Sequence, residues 1–251
     1  MKPLSKKDEL ILTAKIKAYF RSFKQFVSCD ELPDFKILYT DARKDPSIAY
    51  KAQVSLYEKP IILRCNITEI DEKDPDFKYT LVHEFTHMYD YFMLHKTYDD
   101  AFLNRNMFLY TECHAVQIEI LFCYKIVDTI FDSANFMKTD LDHMLDLPYI
   151  KNKTYANTVL NFLDNQSITN FHYMKTAYMY SYGATTILSQ LLEQPMTFMN
   201  FEKPYDQEIT KAQRILQNIK YDQLPSEKDL IRLGNINKKI NQMFLENVTL
   251  K

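Results

Sequence analysis

Residues 80–89 decide how this chain is interpreted; they read Thr80-Leu81-Val82-His83-Glu84-Phe85-Thr86-His87-Met88-Tyr89 and contain the pattern His-Glu-x-x-His. On an α-helix, residues four apart lie on one face, one turn from each other. His83 and His87 can therefore direct imidazole nitrogens at a single ion. Glu84 lies about 100° around the helix from His83, where it is poorly placed as a third ligand but can reach a water held on the metal. The pattern predicts a metal site with a base beside it.

The residues around the two histidines are all uncharged: Leu81, Val82, Phe85, Thr86, Met88 and Tyr89. A solvated helix with two incidental histidines is the alternative interpretation, but such a helix should carry charges between them. The flanks instead favour a helix that is buried on the side away from the metal. His-Glu-x-x-His on a helix of this kind is a signature of zinc metalloproteases.

The bounds of this helix are also indicated by the sequence. Asp74 is a candidate N-cap, Pro75 suits the first turn, and Asp76 adds a negative charge near the positive end of the helix dipole. A continuous apolar stripe follows at helical spacing: Phe77, Leu81, Phe85, Met88 and Phe92. We therefore expect one helix from about Pro75 to His95.

Length, composition and charge limit the class of protein. The chain has 251 residues, of which 46% are hydrophobic and 25% charged, which is ordinary for a globular protein with a sizeable core. The length fits one large domain or one domain with an extension. The net charge of −2 gives no basic excess, so we expect neither nucleic acid nor an acidic membrane as a partner.

The N-terminus and the cysteines indicate the compartment. Residues 1–8 contain no apolar signal core, and no window approaches the roughly eighteen apolar residues of a membrane span. Four cysteines occur without any Cys-x-x-Cys spacing: Cys29, Cys65, Cys113 and Cys123. Reduced, mostly buried thiols in a reducing compartment explain them best. These features predict a soluble cytoplasmic protein.

The remaining elements predict an α+β, predominantly helical fold. Ser5 and Asp8 form a capping box that opens a helix, and residues 35–40, 48–56 and 61–65 favour strands, the last two as an antiparallel hairpin. After the motif helix we expect a helix from Asn104 to Phe131, then helices near residues 140–147, 153–163, 169–192, 206–220 and 227–245. A small antiparallel sheet should pack on the motif helix. Residues 1–135 are predicted to form the core domain, and residues 136–251 a helical extension packed on it.

A catalytic zinc site needs a third protein ligand. Position 93 is Met93, so an extended histidine motif is absent, and His95 lies roughly 12 Å along the helix from His87. Glu112 is our choice, because a turn and an antiparallel helix would bring it back beside the motif. The small Ala115, one turn later, would allow close approach of the two helices.

Several alternatives around this third ligand stay open. Glu112 could instead be a solvated or salt-bridged acid, with His114 or Glu119 as the competing ligand. Glu119 or Asp90 could orient a ligand histidine from behind, since such carboxylates fix the ring and raise its basicity. The plain interpretation of Asp90 is a surface acid.

This arrangement resembles the minigluzincin core, a group of zinc peptidases within the His-Glu-x-x-His gluzincin clan. The resemblance rests on the hairpin, on residues 83–90 (His-Glu-Phe-Thr-His-Met-Tyr-Asp) and on residues 111–115 (Thr-Glu-Cys-His-Ala), and it covers residues 35–119. The group includes intracellular bacterial peptidases that cleave repressors. The same two sequence segments also resemble those of mitochondrial intermembrane-space peptidases. The resemblance implies His83, His87 and Glu112 as zinc ligands and Glu84 as general base. Thr86 stands where the family often has glycine.

These observations lead to one expected function. The chain is predicted to be a zinc-dependent metallopeptidase that acts on peptide or protein substrates, with Glu84 as the general base that activates a metal-bound water. The strand at residues 49–55 could be the sheet edge that holds an extended peptide, or an interior hairpin strand. Tyr178, Tyr180 and Tyr182 could donate to an oxyanion, but an aromatic core face is the simpler interpretation. A catalytically silent zincin-fold regulator and a zinc hydrolase of non-peptide amides are the alternatives.

Overall fold

The computed structural model describes residues 5–45, 47–48, 50–69, 75–130, 168–191 and 204–249. In this part of the chain the helices are α1 (Lys6–Phe26), α2 (Pro75–His95), α3 (Asp100–Asn106), α4 (Phe108–Ile130), α5 (Ile168–Leu191), α6 (Pro204–Leu216) and α7 (Glu227–Thr249). The strands are β1 (Lys36–Thr40), β2 (Ala52–Ser55) and β3 (Ile62–Asn66). The predicted α+β, predominantly helical fold is confirmed. The chain forms two compact units, Met1–Asp100 and Ala101–Lys251, called here the N-terminal and C-terminal units.

Helix α1 begins at the predicted capping box. The Ser5 hydroxyl oxygen accepts the Asp8 backbone N–H at 3.2 Å, and the Asp8 carboxylate accepts the Ser5 backbone N–H at 3.4 Å. Both bonds satisfy backbone donors that the first turn of a helix leaves unpaired. The helix buries one apolar stripe: Leu12, Ile16, Phe20 and Phe23. This stripe fixes the face that α1 presents to the core of the N-terminal unit.

The sheet has the order β1-β3-β2. Strands β2 and β3 are antiparallel, with Ala52 opposite Cys65, as the hairpin prediction required. Strand β1 pairs with β3 in parallel, so the predicted purely antiparallel sheet is wrong and the sheet is mixed. The alternation of polar and apolar side chains shows which face of a strand is buried, but it does not show which strand lies beside it or in which direction. The parallel direction of β1 could therefore not be predicted. Strand β2 is also shorter than the predicted strand at residues 48–56, and it lies at an edge of the sheet.

Helix α2 has the predicted bounds, and Phe85 anchors it in the N-terminal unit. The Phe85 ring lies 5.0 Å from the Phe20 ring, 5.7 Å from that of Phe23 and 5.7 Å from that of Phe35, measured between centroids. Edge-to-face and tilted aromatic pairs at such distances add to the free energy gained by burial. Because Phe85 lies about 200° around the helix from His83, this aromatic cluster turns the histidine face the other way.

Helix α4 lies at the centre of the C-terminal unit, where it packs against α5, α6 and α7. Both glycines of the chain lie on helices there and permit close contact. A Cβ atom at Gly183 would overlap with the Cys113 carbonyl oxygen and lie 3.2 Å from the Val116 Cβ atom. A Cβ atom at Gly234 would overlap with the Asn106 side chain. The glycines therefore serve packing in this fold.

The predicted helix from Asn104 to Phe131 is interrupted at Met107, so it forms two helices, α3 and α4. The helices predicted at residues 169–192, 206–220 and 227–245 correspond to α5, α6 and α7. Those predicted at residues 140–147 and 153–163, and the domain boundary near residue 135, lie outside the described residues. The two-domain division at residues 1–135 and 136–251 therefore stays a prediction. Among the described helices, none combines the length and apolar character needed to cross a bilayer.

Candidate metal centre

His83, Glu84 and His87 come together on α2. One ligand atom from each of the three residues can be chosen so that all lie within 4.8 Å of one another. The His83 and His87 rings are perpendicular, with centroids 4.7 Å apart. All three residues are buried, with at most 9% of their surface exposed. The two predicted histidine ligands therefore share one point beside the predicted base.

The chemistry of these donors fits a zinc ion. Zinc in proteins takes imidazole nitrogens and carboxylate oxygens at about 2.0–2.2 Å, so its ligand atoms lie roughly 4 Å apart or less. The separation within this cluster is close to that scale. The two imidazoles are borderline donors that suit zinc better than calcium or magnesium.

Thr86 stands where the resembling family often has glycine, and the structure accommodates it. Its hydroxyl donates to the Val82 carbonyl oxygen at 2.9 Å, and the residue is fully buried. A threonine that bonds to the carbonyl four residues earlier satisfies its own polar group inside a helix. Thr86 therefore leaves the helix intact between the two histidines.

Glu84 contacts the sheet. Its Oε2 atom accepts the backbone N–H of Val54, on β2, at 2.8 Å. Glu84 also raises the pKa of Cys65, on β3, although burial is the larger cause, and together they bring that pKa to about 12. Burial and the nearby carboxylate therefore both favour the neutral thiol form of Cys65. Cys29 and Cys113 are also free thiols, in keeping with the reduced state expected for the cysteines.

Asp90 and His95 occupy the rest of the predicted motif region. Asp90 is fully buried, so the plain interpretation of a surface acid is wrong. Its role in orienting His87 stays a prediction. His95 is half exposed, and its Nε2 atom lies 3.1 Å from the Asp100 carboxylate. His95 thus pairs at the end of α2, consistent with its exclusion from the metal site.

Glu112 lies on α4, in the C-terminal unit, and is partly buried. Its charge acts on Lys175 of α5: burial lowers the pKa of Lys175 to about 8, and Glu112 opposes that shift. This interaction agrees with the open alternative in which Glu112 pairs with a cation. Glu119 is buried on the same helix. The assignment of Glu112 or Glu119 as third ligand stays a prediction, since both belong to a different unit from His83 and His87.

His114, the other competitor on α4, is held by two hydrogen bonds. Its Nε2 atom lies 2.8 Å from the Tyr221 carbonyl oxygen, and its Nδ1 atom lies 3.3 Å from the Tyr110 hydroxyl. A carbonyl can only accept, so Nε2 carries the proton and Nδ1 accepts from the phenol. Both ring nitrogens are therefore engaged in packing the C-terminal unit, which argues against His114 as a ligand.

The tyrosines of α5 are mainly structural. Tyr178 and Tyr182 are buried, and the Tyr182 hydroxyl donates to the Gln213 carbonyl oxygen at 2.6 Å. Burial is the main cause of the raised pKa of Tyr182. The Tyr182 phenol is thus used within the C-terminal unit, as the interpretation of an aromatic core face expected.

Sequence reasoning missed two of the interactions described above, one in each unit. The Val54 backbone N–H has no residue-type signature, because every residue except proline carries the same donor. Lys175 of the C-terminal unit is buried on α5 and belongs to no recognisable sequence motif. Comparison of the chain with protein-family models, with curated proteins and with solved structures found no match.

Proposed function

We propose that this chain is a zinc-dependent metallopeptidase. The observation that carries the proposal is the buried cluster of His83, Glu84 and His87, whose ligand atoms converge within 4.8 Å. A regulator that only bound metal would need the two histidines but no base beside them. The presence of a carboxylate at this position favours hydrolysis.

Each residue has a defined task in this mechanism. His83 and His87 hold the zinc ion, with Glu112 as the predicted third ligand. A bound zinc ion supplies a Lewis acid for the scissile carbonyl and for the attacking water. Glu84 takes the proton from that water and passes it to the leaving nitrogen. Burial of Glu84 removes competing solvent, so that the carboxylate acts on the substrate and its water.

The edge position of β2 supports an extended peptide as the substrate. The Ala52 and Val54 backbone groups point away from β3, since the Asn66 N–H donates to the Lys51 carbonyl oxygen at 2.9 Å and strand geometry alternates with period two. A peptide can add to such an edge through main-chain hydrogen bonds. Because Val54 already donates to Glu84, this edge lies directly beside the proposed base.

A hydrolase of a small non-peptide amide is the second candidate. The observation that favours it is the burial of all three cluster residues, each at most 9% exposed. Reacting groups with so little exposed surface would suit a small amide better than a protein loop. The chemical steps and the role of Glu84 would be the same.

The test uses metal analysis together with one matched pair of variants. The purified full chain should contain about one zinc ion and cleave members of a mixed peptide library, followed by mass spectrometry. Glu84→Gln should keep zinc but lose turnover by at least about 100-fold, because only the base is removed. His95→Gln, on the same helix but half exposed, is the control and should keep both. Undiminished turnover by Glu84→Gln would refute the mechanism.

A further inference from the structure

We propose that the backbone amide of Val54 is the positioning group for Glu84, and that it couples the edge strand β2 to the proposed base. The inference rests on the proposed function for its consequence, but the contact itself is independent of it. The Val54 nitrogen lies 2.8 Å from Glu84 Oε2, which is a normal length for a charge-assisted hydrogen bond.

The direction of this donor follows from the register of the sheet. Lys51 faces Asn66, and the Asn66 N–H donates to the Lys51 carbonyl oxygen, so this opposed pair shares ladder hydrogen bonds. In an antiparallel ladder such pairs alternate with pairs that share none. Val54 is three residues beyond Lys51 and belongs to the second kind. Its N–H therefore points out of the sheet edge, where Glu84 accepts it.

The Glu84 carboxylate needs a positioning group because its side chain has three rotatable bonds and can adopt many conformations. A glutamate at the site needs its oxygen held near the histidines, and loose positioning of a reacting group reduces rate strongly. Glu84 as a whole is also only 9% exposed, so a donor that stays in place offsets part of the desolvation of its carboxylate. Val54 supplies such a donor from a strand that α2 packs against.

The same bond links substrate docking to the base. If an extended peptide pairs with β2, it orders the strand that carries the Val54 amide. The base is then held best when the substrate is bound. Loss of the Val54 donor should accordingly reduce kcat and leave KM nearly unchanged, since the remaining outward groups of β2 would still pair with the peptide.

The first experiment measures hydrogen exchange of single amides by NMR in the full chain. The Val54 amide should be protected in the wild type, and Glu84→Ala should increase its exchange rate by at least about 10-fold. Glu84→Gln, which retains an acceptor oxygen, should keep most of the protection. The Ala52 amide, which faces the same edge, is the internal control and should be unchanged. Equal Val54 exchange in the wild type and Glu84→Ala would overturn the proposal.

The second experiment compares two proline variants. Val54→Pro removes the donor without removing a ladder bond, because proline is accepted where a strand N–H faces away from its partner. It should keep zinc and KM, and lower kcat on the order of 10-fold to 100-fold. Ala52→Pro, at the other outward position, controls for proline in β2 and should have a smaller effect on kcat. A kcat for Val54→Pro equal to that of Ala52→Pro would overturn the proposal.

The two experiments separate this inference from the proposed function. If the wild-type chain cleaves no peptide, the proposed function fails, while the exchange data still decide whether Val54 holds Glu84. If Val54→Pro does not fold, replacement of the Val54 amide by an ester removes the same donor and leaves the side chain in place. An ester variant with unchanged kcat would likewise overturn the role of the amide.

Discussion

Helices α2 and α4 both carry buried histidines, but they use them in different ways. On α2, His83 and His87 are one turn apart and turn their rings toward the same point, beside Glu84. On α4, His114 has a tyrosine one turn before it, and its two ring nitrogens bond to that phenol and to a backbone carbonyl. Burial of a histidine is thus a poor indicator of a metal site. Convergence of several donor atoms is the informative feature.

The apolar faces of the two helices also differ. Phe85 anchors α2 by aromatic contacts with three other rings. Helix α4 instead packs closely on α5, where Gly183 lies against Cys113 and Val116. An aromatic anchor sets the rotation of a helix, whereas a glycine contact sets the distance between two helices. Two ligands on one helix face require the helix rotation to be fixed, and on α2 the aromatic anchor fixes it.

The largest expected effect comes from the two histidines of α2. His83→Ala and His87→Ala together should abolish zinc binding, because two of the proposed ligands are lost. His114→Ala, the matched change on α4, should destabilise the C-terminal unit but weaken zinc binding less than about 10-fold. Competition with a chelator gives both affinities. Full zinc content in the double variant would show that the histidines of α2 are no more important for zinc binding than His114 of α4.

The next effect concerns the acids of α4. Glu112→Ala should weaken zinc binding strongly if Glu112 is the third ligand, whereas Glu119→Ala should weaken it about 10-fold to 100-fold as an orienting carboxylate. The same chelator titration compares the two variants. The reverse order would make Glu119 the ligand, and no change in either would leave α4 with a purely structural role.

A smaller effect is expected at the contact between α4 and α5. Gly183→Ala places a Cβ atom against a backbone carbonyl, which cannot rotate away, so it should lower the free energy of unfolding by about 1–3 kcal/mol. At Gly234→Ala the overlap is with the Asn106 side chain, and the Asn106 Cα atom lies 3.0 Å away. This variant should lower the free energy of unfolding less, because the overlapping side chain can partly give way. Urea unfolding of both variants tests the ranking. Equal losses would show that the close contact at Gly183 is not special.

The last effect is a pH dependence at Lys175, on which the charge of Glu112 acts. Its pKa falls from 10.5 to about 8, mainly through burial. Between these values the unfolded chain binds more protons than the folded one, so this group makes the free energy of unfolding rise with pH. Below about pH 8 the full penalty for burying the charge is present. Lys175→Met should remove this contribution.

This contribution of Lys175 is measured by urea unfolding of the metal-free chain at several pH values between about 8 and 9.5. That range lies below the pH at which most tyrosines ionise. The wild type should gain more stability over that range than Lys175→Met does. Lys220→Met, at an exposed lysine, is the control and should follow the wild type. Parallel curves for all three proteins would contradict the lowered pKa of Lys175.

Local signals in the sequence predicted the parts of the fold that local physics determines. The capping box at Ser5 and Asp8 and the bounds of α2 were both right, because caps, proline and apolar spacing act within a few residues. The convergence of His83 and His87 could be predicted for the same reason, since its geometry lies within one turn of one helix; their role as metal ligands stays a prediction.

Contacts between distant segments were not predicted. The parallel pairing of β1 with β3 has no recognisable signal in the sequence of either strand. The helix is interrupted at Met107, directly after Asn106. There Gly234 of α7 comes close to Asn106, and the Asn106 side-chain amide donates to the Phe102 carbonyl oxygen at 2.9 Å. The hydrogen bond from Val54 to Glu84 is of the same kind, because a backbone donor has no identity in a sequence.

The short outward edge of β2 also bears on how copies of this protein behave in concentrated solution. An open strand edge is a template for pairing with another chain, and native sheets avoid this by short edge strands and by placing charges on them. Strand β2 has four residues, and Glu84 holds a carboxylate against the Val54 amide. A foreign strand can therefore pair only with the remaining outward groups of β2, unless it displaces that carboxylate. Replacing Glu84 by glutamine removes the charge, and replacing it by alanine removes the acceptor as well, so self-association should rise in that order.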